Sequence, residues 1–138
     1  DARHRLQGWS RVGWGGAVVT PSHGVTWRFP MKACRVYDAD TLMDVSLDLG
    51  FGLSISITAR LYGINAPEVR GPERKRGIVA REWLQARLDL ATDVMIETRP
   101  VGERAVGKYG RWLVVIWADG DNINEALIDE GHAVQADY

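Results

Sequence analysis

Residues 41–61 hold the pattern that most limits what this chain can fold into. Thr41, Met43, Val45, Leu47 and Leu49 alternate with Leu42, Asp44, Ser46 and Asp48. After Gly50-Phe51-Gly52 the alternation resumes, with Leu53, Ile55, Ile57, Ala59 and Leu61 set against Ser54, Ser56, Thr58 and Arg60. A period of two sends successive side chains to opposite faces of a sheet, so each run reads as a strand with one face toward a core. The flanking glycines give a tight turn its backbone freedom, which makes the pair an antiparallel hairpin. A two-stranded hairpin is marginal by itself in water. Its apolar face must be covered by more sheet or by a helix.

The rest of the chain supplies both. Residues 33–37 read as a strand running into a turn at Asp38-Ala39-Asp40. Pro72 suits the entry to a helix over residues 73–91. Ile78, Val79, Trp83, Leu84, Leu88 and Leu90 give that helix a broad apolar stripe, and Arg74, Arg76, Arg81 and Arg87 fall largely off it. Val94 to Thr98 and Trp112 to Trp117 are strands, and Asp119-Gly120 is a turn. Asn122 or Asp121 then caps a short helix through Asp129, which Gly131 ends. Three strands, a helix, two strands and a short helix predict a β-rich α+β domain. The expected architecture is an OB-fold five-stranded barrel with an inserted helix and a short C-terminal helix.

At 138 residues, 46% of them apolar, the chain can build one domain with a real core. A formal net charge of −1 argues against a protein that coats DNA through a broadly basic surface. It leaves room for an enzyme with its positive charge gathered in one cleft. The single cysteine, Cys34, excludes an internal disulfide and argues against a cysteine-based zinc site. It reads as a strand residue. His4, His23 and His132 are scattered and do not suggest a histidine metal site.

Residues 1–30 differ in character from the rest, with three of the six tryptophans and no clear period. Domain organisation is therefore read as an irregular extension over 1–30 and a folded domain over 31–138. Two readings of the extension stand: a leader upstream of a native start at Met31, or an authentic segment that packs Trp9, Trp14 or Trp27 on the barrel. No apolar run approaches a membrane span, and Ala17-Val18-Val19 is too short for a secretion signal. The expectation is a monomer without a membrane partner, cytoplasmic rather than secreted.

Chemistry concentrates in three segments: Asp38-Ala39-Asp40-Thr41, Arg60-Leu61-Tyr62-Gly63-Ile64-Asn65-Ala66-Pro67-Glu68, and Lys108-Tyr109-Gly110-Arg111. They place carboxylates, a carboxamide and two arginines on strand ends and turns. Such a set can supply oxygen ligands for a hard cation, a carboxylate to handle a water, and guanidiniums for a phosphate. Each residue also has an ordinary reading. Asp40 is a turn former, Glu68 a surface glutamate, and Arg60 and Arg111 are solvated strand-end arginines. Arg70, Arg74, Lys75 and Arg76 form the densest basic cluster, either a solvated face or a track for a nucleic-acid backbone.

Taken in order, and ending in Ala118-Asp119-Gly120 and Asn124-Glu125-Ala126-Leu127, these segments resemble the staphylococcal nuclease family from about Lys32 to about Val134. The resemblance implies an OB-fold and a metal-dependent nuclease acting on DNA and, as a second substrate, RNA. It assigns Arg60, Glu68 and Arg111 to catalysis and Lys108 and Tyr109 to a terminal phosphate of bound nucleotide. Asp40, Asn65 and the backbone carbonyl of Ala66 become ligands for Ca²⁺, with Mg²⁺ or Mn²⁺ as alternatives. Asp38 becomes an outer carboxylate. The chain departs from the family at Asn65, where the pattern has aspartate, and at Ala66, where it has threonine. Asparagine keeps an oxygen of similar reach but loses the charge. The competing expectation is a non-catalytic module of the same fold that binds nucleic acid or protein.

Overall fold

A computed structural model describes residues 26–99 and 110–136. Strands β1 (Arg28–Asp38), β2 (Thr41–Gly50) and β3 (Leu53–Leu61) form an antiparallel meander. The short β4 (Ile64–Asn65) follows, then a 3₁₀ turn (Gly71–Glu73) and helix α1 (Arg74–Leu90). After these come β5 (Val94–Thr98), β6 (Trp112–Ala118), β7 (Asp121–Asn122), helix α2 (Ile123–Asp129) and β8 (Val134–Gln135). β1 pairs β5, β5 pairs β6, and β6 returns to β3 in parallel, Ala59 to Leu61 lying against Trp112 to Val114. That last pairing closes β1-β2-β3-β6-β5 into a five-stranded mixed barrel, as the order of elements predicts for an OB-fold.

The core fills the barrel and the space under α1. Leu42, Val45, Ala59, Leu61, Ile64, Ala80, Leu84, Ile96, Val114, Ile116, Ile123 and Leu127 are essentially inaccessible. On α1 the buried line is Gly77, Ala80, Leu84 and Leu88. Val79 and Leu90, counted in the apolar stripe from sequence, are exposed instead. The small residues Gly77 and Ala80 let the helix approach closely, and this narrows the buried stripe.

The parity of β2 also shifts. Leu42 and Val45 are both buried although they sit on opposite parities, because the ladder to β3 slips between them. Asp44 takes a left-handed φ of 51° there, which a short polar side chain tolerates. A bulge of this kind swaps the faces of everything on one side of it.

Strand β1 begins at Arg28, ahead of the boundary drawn at residue 31. Arg28, Phe29 and Pro30 pair with Glu97, Ile96 and Met95. Trp27 exchanges hydrogen bonds with Thr98 and packs edge-on against Trp112 at 6.2 Å. Residues 1–25 lie outside the described part. Cys34 sits half-buried on β1, its thiol pushed up to about 11 by burial and then by the Asp89 charge. It stays protonated at neutral pH and acts as a packing residue.

Asn124, at the start of α2, is 4% exposed and spends its whole amide on backbone. Its Nδ2 donates to the carbonyls of Tyr62 and Val114, and its Oδ1 accepts from the N–H of Ile116. It therefore ties the β3–β4 turn to β6 and to α2. Asn122 caps the same helix, its side chain accepting from the N–H of Glu125. Among the described residues no helix is long and apolar enough to cross a membrane.

Candidate active site

The site forms where β1, β2, β3 and β6 meet the loop that follows β4. The register of β2 and β3 sets Thr41 opposite Arg60, so the Asp38–Asp40 turn and the end of β3 lie side by side. The parallel pairing of β3 with β6 brings Arg111, the residue before β6, to the same end of the barrel. β4 pairs with β8, Asn65 against Val134, and this fixes where the Ala66–Arg70 loop departs.

Asp40 is the hub. Its Oδ2 accepts from Arg60 Nη1 at 2.8 Å and from the N–H of Ala66 at 2.8 Å. Its Oδ1 accepts from the Thr41 hydroxyl at 3.1 Å. The second nitrogen of Arg60, Nη2, donates to Asn65 Oδ1. Both side chains of the Asp40–Arg60 pair are largely shielded from water, at 11% and 17% exposed. This ion pair is therefore less screened than a surface one.

Asp38, beside it, is the anomalous carboxylate. It accepts from the N–H of Asp40 at 3.2 Å and is 7% exposed. Burial, followed by the proximity of the Asp40 carboxylate, pushes it up to about 7. Two carboxylates this close, with Arg60 committed to one of them, disfavour a second charge. A sign follows for stability. The folded state holds the Asp38 proton more tightly than the unfolded chain, whose carboxyl titrates near its ordinary value of 3.8. Stability of the metal-free protein therefore falls as pH rises from about 4 toward 7, the reverse of the usual salt-bridged carboxylate. Asp38→Asn should flatten that slope and raise stability at pH 8 in EDTA by up to about 4 kcal/mol, read from thermal melts across pH. A wild-type slope that stays flat over this window would refute the assignment.

A cleft of about 360 Å³ opens beside this network. Tyr37, Asp38, Thr41, Met43, Glu68, Val69, Arg70 and Arg111 line it. Glu68 is exposed and has no hydrogen-bond or ion-pair partner among the described residues. The structure thus brings Glu68 and Arg111 to one cavity. Asp40, Arg60 and Asn65 form the adjoining network, with Asp38 and Thr41 linking the two. Lys108 and Tyr109 lie outside the described residues.

One residue that the sequence reading passed over sets the position of Glu68. Gly77 lies in the first half of α1 with its backbone against the loop. A Cβ there would sit 2.1 Å from the Glu68 carbonyl oxygen and 2.4 Å from its carbon. Only glycine permits this contact. The signal was present in the sequence: a glycine inside a helix of good formers costs about 1 kcal/mol relative to alanine, which calls for a packing reason.

The donor set near Asp40 suits a hard cation in kind, being all oxygen. Asp40 Oδ2 and Asn65 Oδ1 both face a single cationic group, the Arg60 guanidinium. Charge is scarce, however. No group of three or more acidic, histidine or cysteine side chains is placed to hold a metal among the described residues. At Ala66 it is the N–H that meets Asp40.

Residues 58–138, more than half of the chain, match the family model described as staphylococcal nuclease homologue. The matched span holds Arg60, Asn65, Glu68 and Arg111, and the Asp38–Asp40 turn lies upstream of it. With this match, a closed five-stranded barrel and these residues gathered at one end of it, the chain belongs to the staphylococcal nuclease family, a nuclease-type or nucleic-acid-binding module.

Proposed function

We propose that the chain is a metal-dependent nuclease that hydrolyses phosphodiester bonds of DNA, with RNA as a second substrate. The observation that supports this best is the shared cleft: an unengaged carboxylate, Glu68, and a guanidinium, Arg111, line the same cavity. In this reading Glu68 takes the proton of a water whose oxygen bonds to phosphorus while the opposite P–O ester bond breaks, its oxygen leaving with the bonding pair and taking a proton from solvent. Arg111 and Arg60 present paired N–H donors to the non-bridging oxygens, where charge builds in the transition state. Lys108 and Tyr109 contact a terminal phosphate. Asp40, Asn65 and the Ala66 carbonyl would hold the cation, Ca²⁺ first, with Mg²⁺ or Mn²⁺ as alternatives. When bound, such an ion polarises a phosphoryl oxygen.

The second reading is a non-catalytic module of the same fold that binds nucleic acid or protein. One observation favours it: Asn65 brings no charge, and Arg60 is held by Asp40 and Asn65. A nicking assay on plasmid and single-stranded DNA with Ca²⁺, Mg²⁺, Mn²⁺ and EDTA separates the two. The nuclease reading expects cuts that require a divalent ion. Retained DNA binding with no cleavage under any ion would replace it with the binding module.

The Asn65 departure gives its own prediction. Asn65→Asp adds a negative charge facing the same centre as Asp40, and charge count tunes affinity in oxygen-lined sites. Ca²⁺ binding should tighten by about 1–3 kcal/mol in calorimetric titration. Because Arg60 already contacts Asn65, the new carboxylate gains a counter-charge in the metal-free protein as well. Equal affinities in the two proteins would remove Asn65 from the cation site.

A further inference from the structure

A second cavity, of about 300 Å³, is lined by Pro67, Lys75, Arg76, Val79, Glu130, Gly131 and His132. The Glu68 loop contributes to both linings. Pro67 faces this cavity, while Glu68, Val69 and Arg70 face the cleft described above. Gly77 clamps the loop to α1, so the two cavities keep a fixed relation.

The wall and the rim are cationic. Arg70, Arg74, Lys75 and Arg76 stand against a single acid in the segment, Glu73. Arg70, Arg74 and Lys75 have no ion-pair partner among the described residues. Arg76 has only Glu73, at 3.7 Å with both side chains exposed, a pair of little energetic weight. The placement does not serve the helix. Cations in the first turn oppose the macrodipole, each at about 0.3–1 kcal/mol, and that turn holds no acid. Across the cavity His132 stands braced on the Trp83 ring at 5.4 Å, and Val79 is 55% exposed. Glu130, the C-cap of α2, is the one acid in the lining and has no ion-pair partner among the described residues.

We infer that this cavity is an extended subsite for the sugar-phosphate backbone of single-stranded nucleic acid, which crosses the Pro67–Arg70 loop as it leaves the cleft and settles on Lys75 and Arg76. The inference rests on the proposed nuclease or nucleic-acid-binding reading and deepens it by giving the path of the strand beyond the cleft. A positive groove beside exposed apolar and ring surface is the chemistry that takes a flexible strand without reading its sequence.

Fluorescence anisotropy in EDTA, with labelled deoxythymidine strands of about four and about twelve nucleotides, tests it without cleavage. Wild-type affinity should rise with length. In Lys75→Ala/Arg76→Ala the loss should grow with length and reach about 10-fold for the longer strand at low salt. The slope of log affinity against log salt should fall by about 1.4, given about 0.7 for each of the two lost single-strand phosphate contacts. An RNA strand of the same length should behave alike, since the contacts are to backbone. Equal losses on short and long strands, or an unchanged salt slope, would overturn the subsite. So would competition by polyglutamate as strong as by an oligonucleotide of equal charge, which would assign the patch to an acidic protein. Length-dependent binding without cleavage under any ion would leave the subsite standing and sink the nuclease reading alone.

Discussion

Arg60→Ala is expected to lower kcat by about 10²–10³-fold, the usual cost of removing a donor that meets transition-state charge. A second effect separates this residue from a mere phosphate contact. Arg60 is the counter-charge of Asp40, a carboxylate 8% exposed with Asp38 beside it. Its removal leaves a shielded carboxylate unpaired, which in comparable sites costs roughly 3–5 kcal/mol. Asp40 keeps the Ala66 N–H and the Thr41 hydroxyl, so the lower end applies. A divalent cation should restore much of the lost stability by supplying positive charge at Asp40, but not the lost rate. Thermal melts with and without Ca²⁺, run beside kinetics, read both. A wild-type rate would remove Arg60 from the mechanism, and an unaltered melt in EDTA would remove it as the partner of Asp40.

Gly77→Ala should be nearly as damaging, although Gly77 faces no substrate. The added methyl would overlap the Glu68 carbonyl, with the nearest backbone atoms at 2.1, 2.4 and 2.8 Å. Those atoms are main chain, so the loop must move as a unit, by on the order of an ångström. A displacement of that size at a reacting group costs about 10²-fold in rate. Alanine improves helix propensity by about 1 kcal/mol, while overpacking costs about 1–3 kcal/mol, so the net loss of stability is small. The signature is therefore a large fall in kcat with a modest change in Tm. An unaffected kcat would mean that the position of the Glu68 backbone does not matter to the chemistry.

The sequence carried the fold well because its signals were local and mutually consistent. The two strands over 41–61, the Asn122 cap and the Gly131 stop recur as drawn, although the alternation itself is broken at Asp44 and leaves Leu53 and Ile55 exposed, and β3 closes on β6. What it did not carry were the features set by contact between distant segments. The bulge at Asp44 depends on how β2 meets both neighbours. The short β4–β8 sheet is too brief to leave a pattern in either segment. The buried line of α1, Gly77, Ala80, Leu84 and Leu88, is set by what the helix packs on, the Glu68 loop at Gly77 and β1, and it leaves Val79 and Leu90 outside. At the site, residue types and order were legible, but the pairing of Arg60 with both Asp40 and Asn65 was not. Pairing is a matter of distance, and only the register of Thr41 against Arg60 supplies it.

The most direct test of the account is Glu68→Gln, compared with the wild type in metal-supported cleavage and in strand binding. Glutamine keeps the size and reach of the side chain, and Glu68 has no partner among the described residues for the change to disturb. The expected result is a fall in kcat of roughly 10²-fold or more, with strand affinity in EDTA held near that of the wild type. Full cleavage activity in Glu68→Gln would contradict it, because the one other carboxylate among the described residues that line the cleft, Asp38, accepts the Asp40 N–H and keeps its proton up to about pH 7.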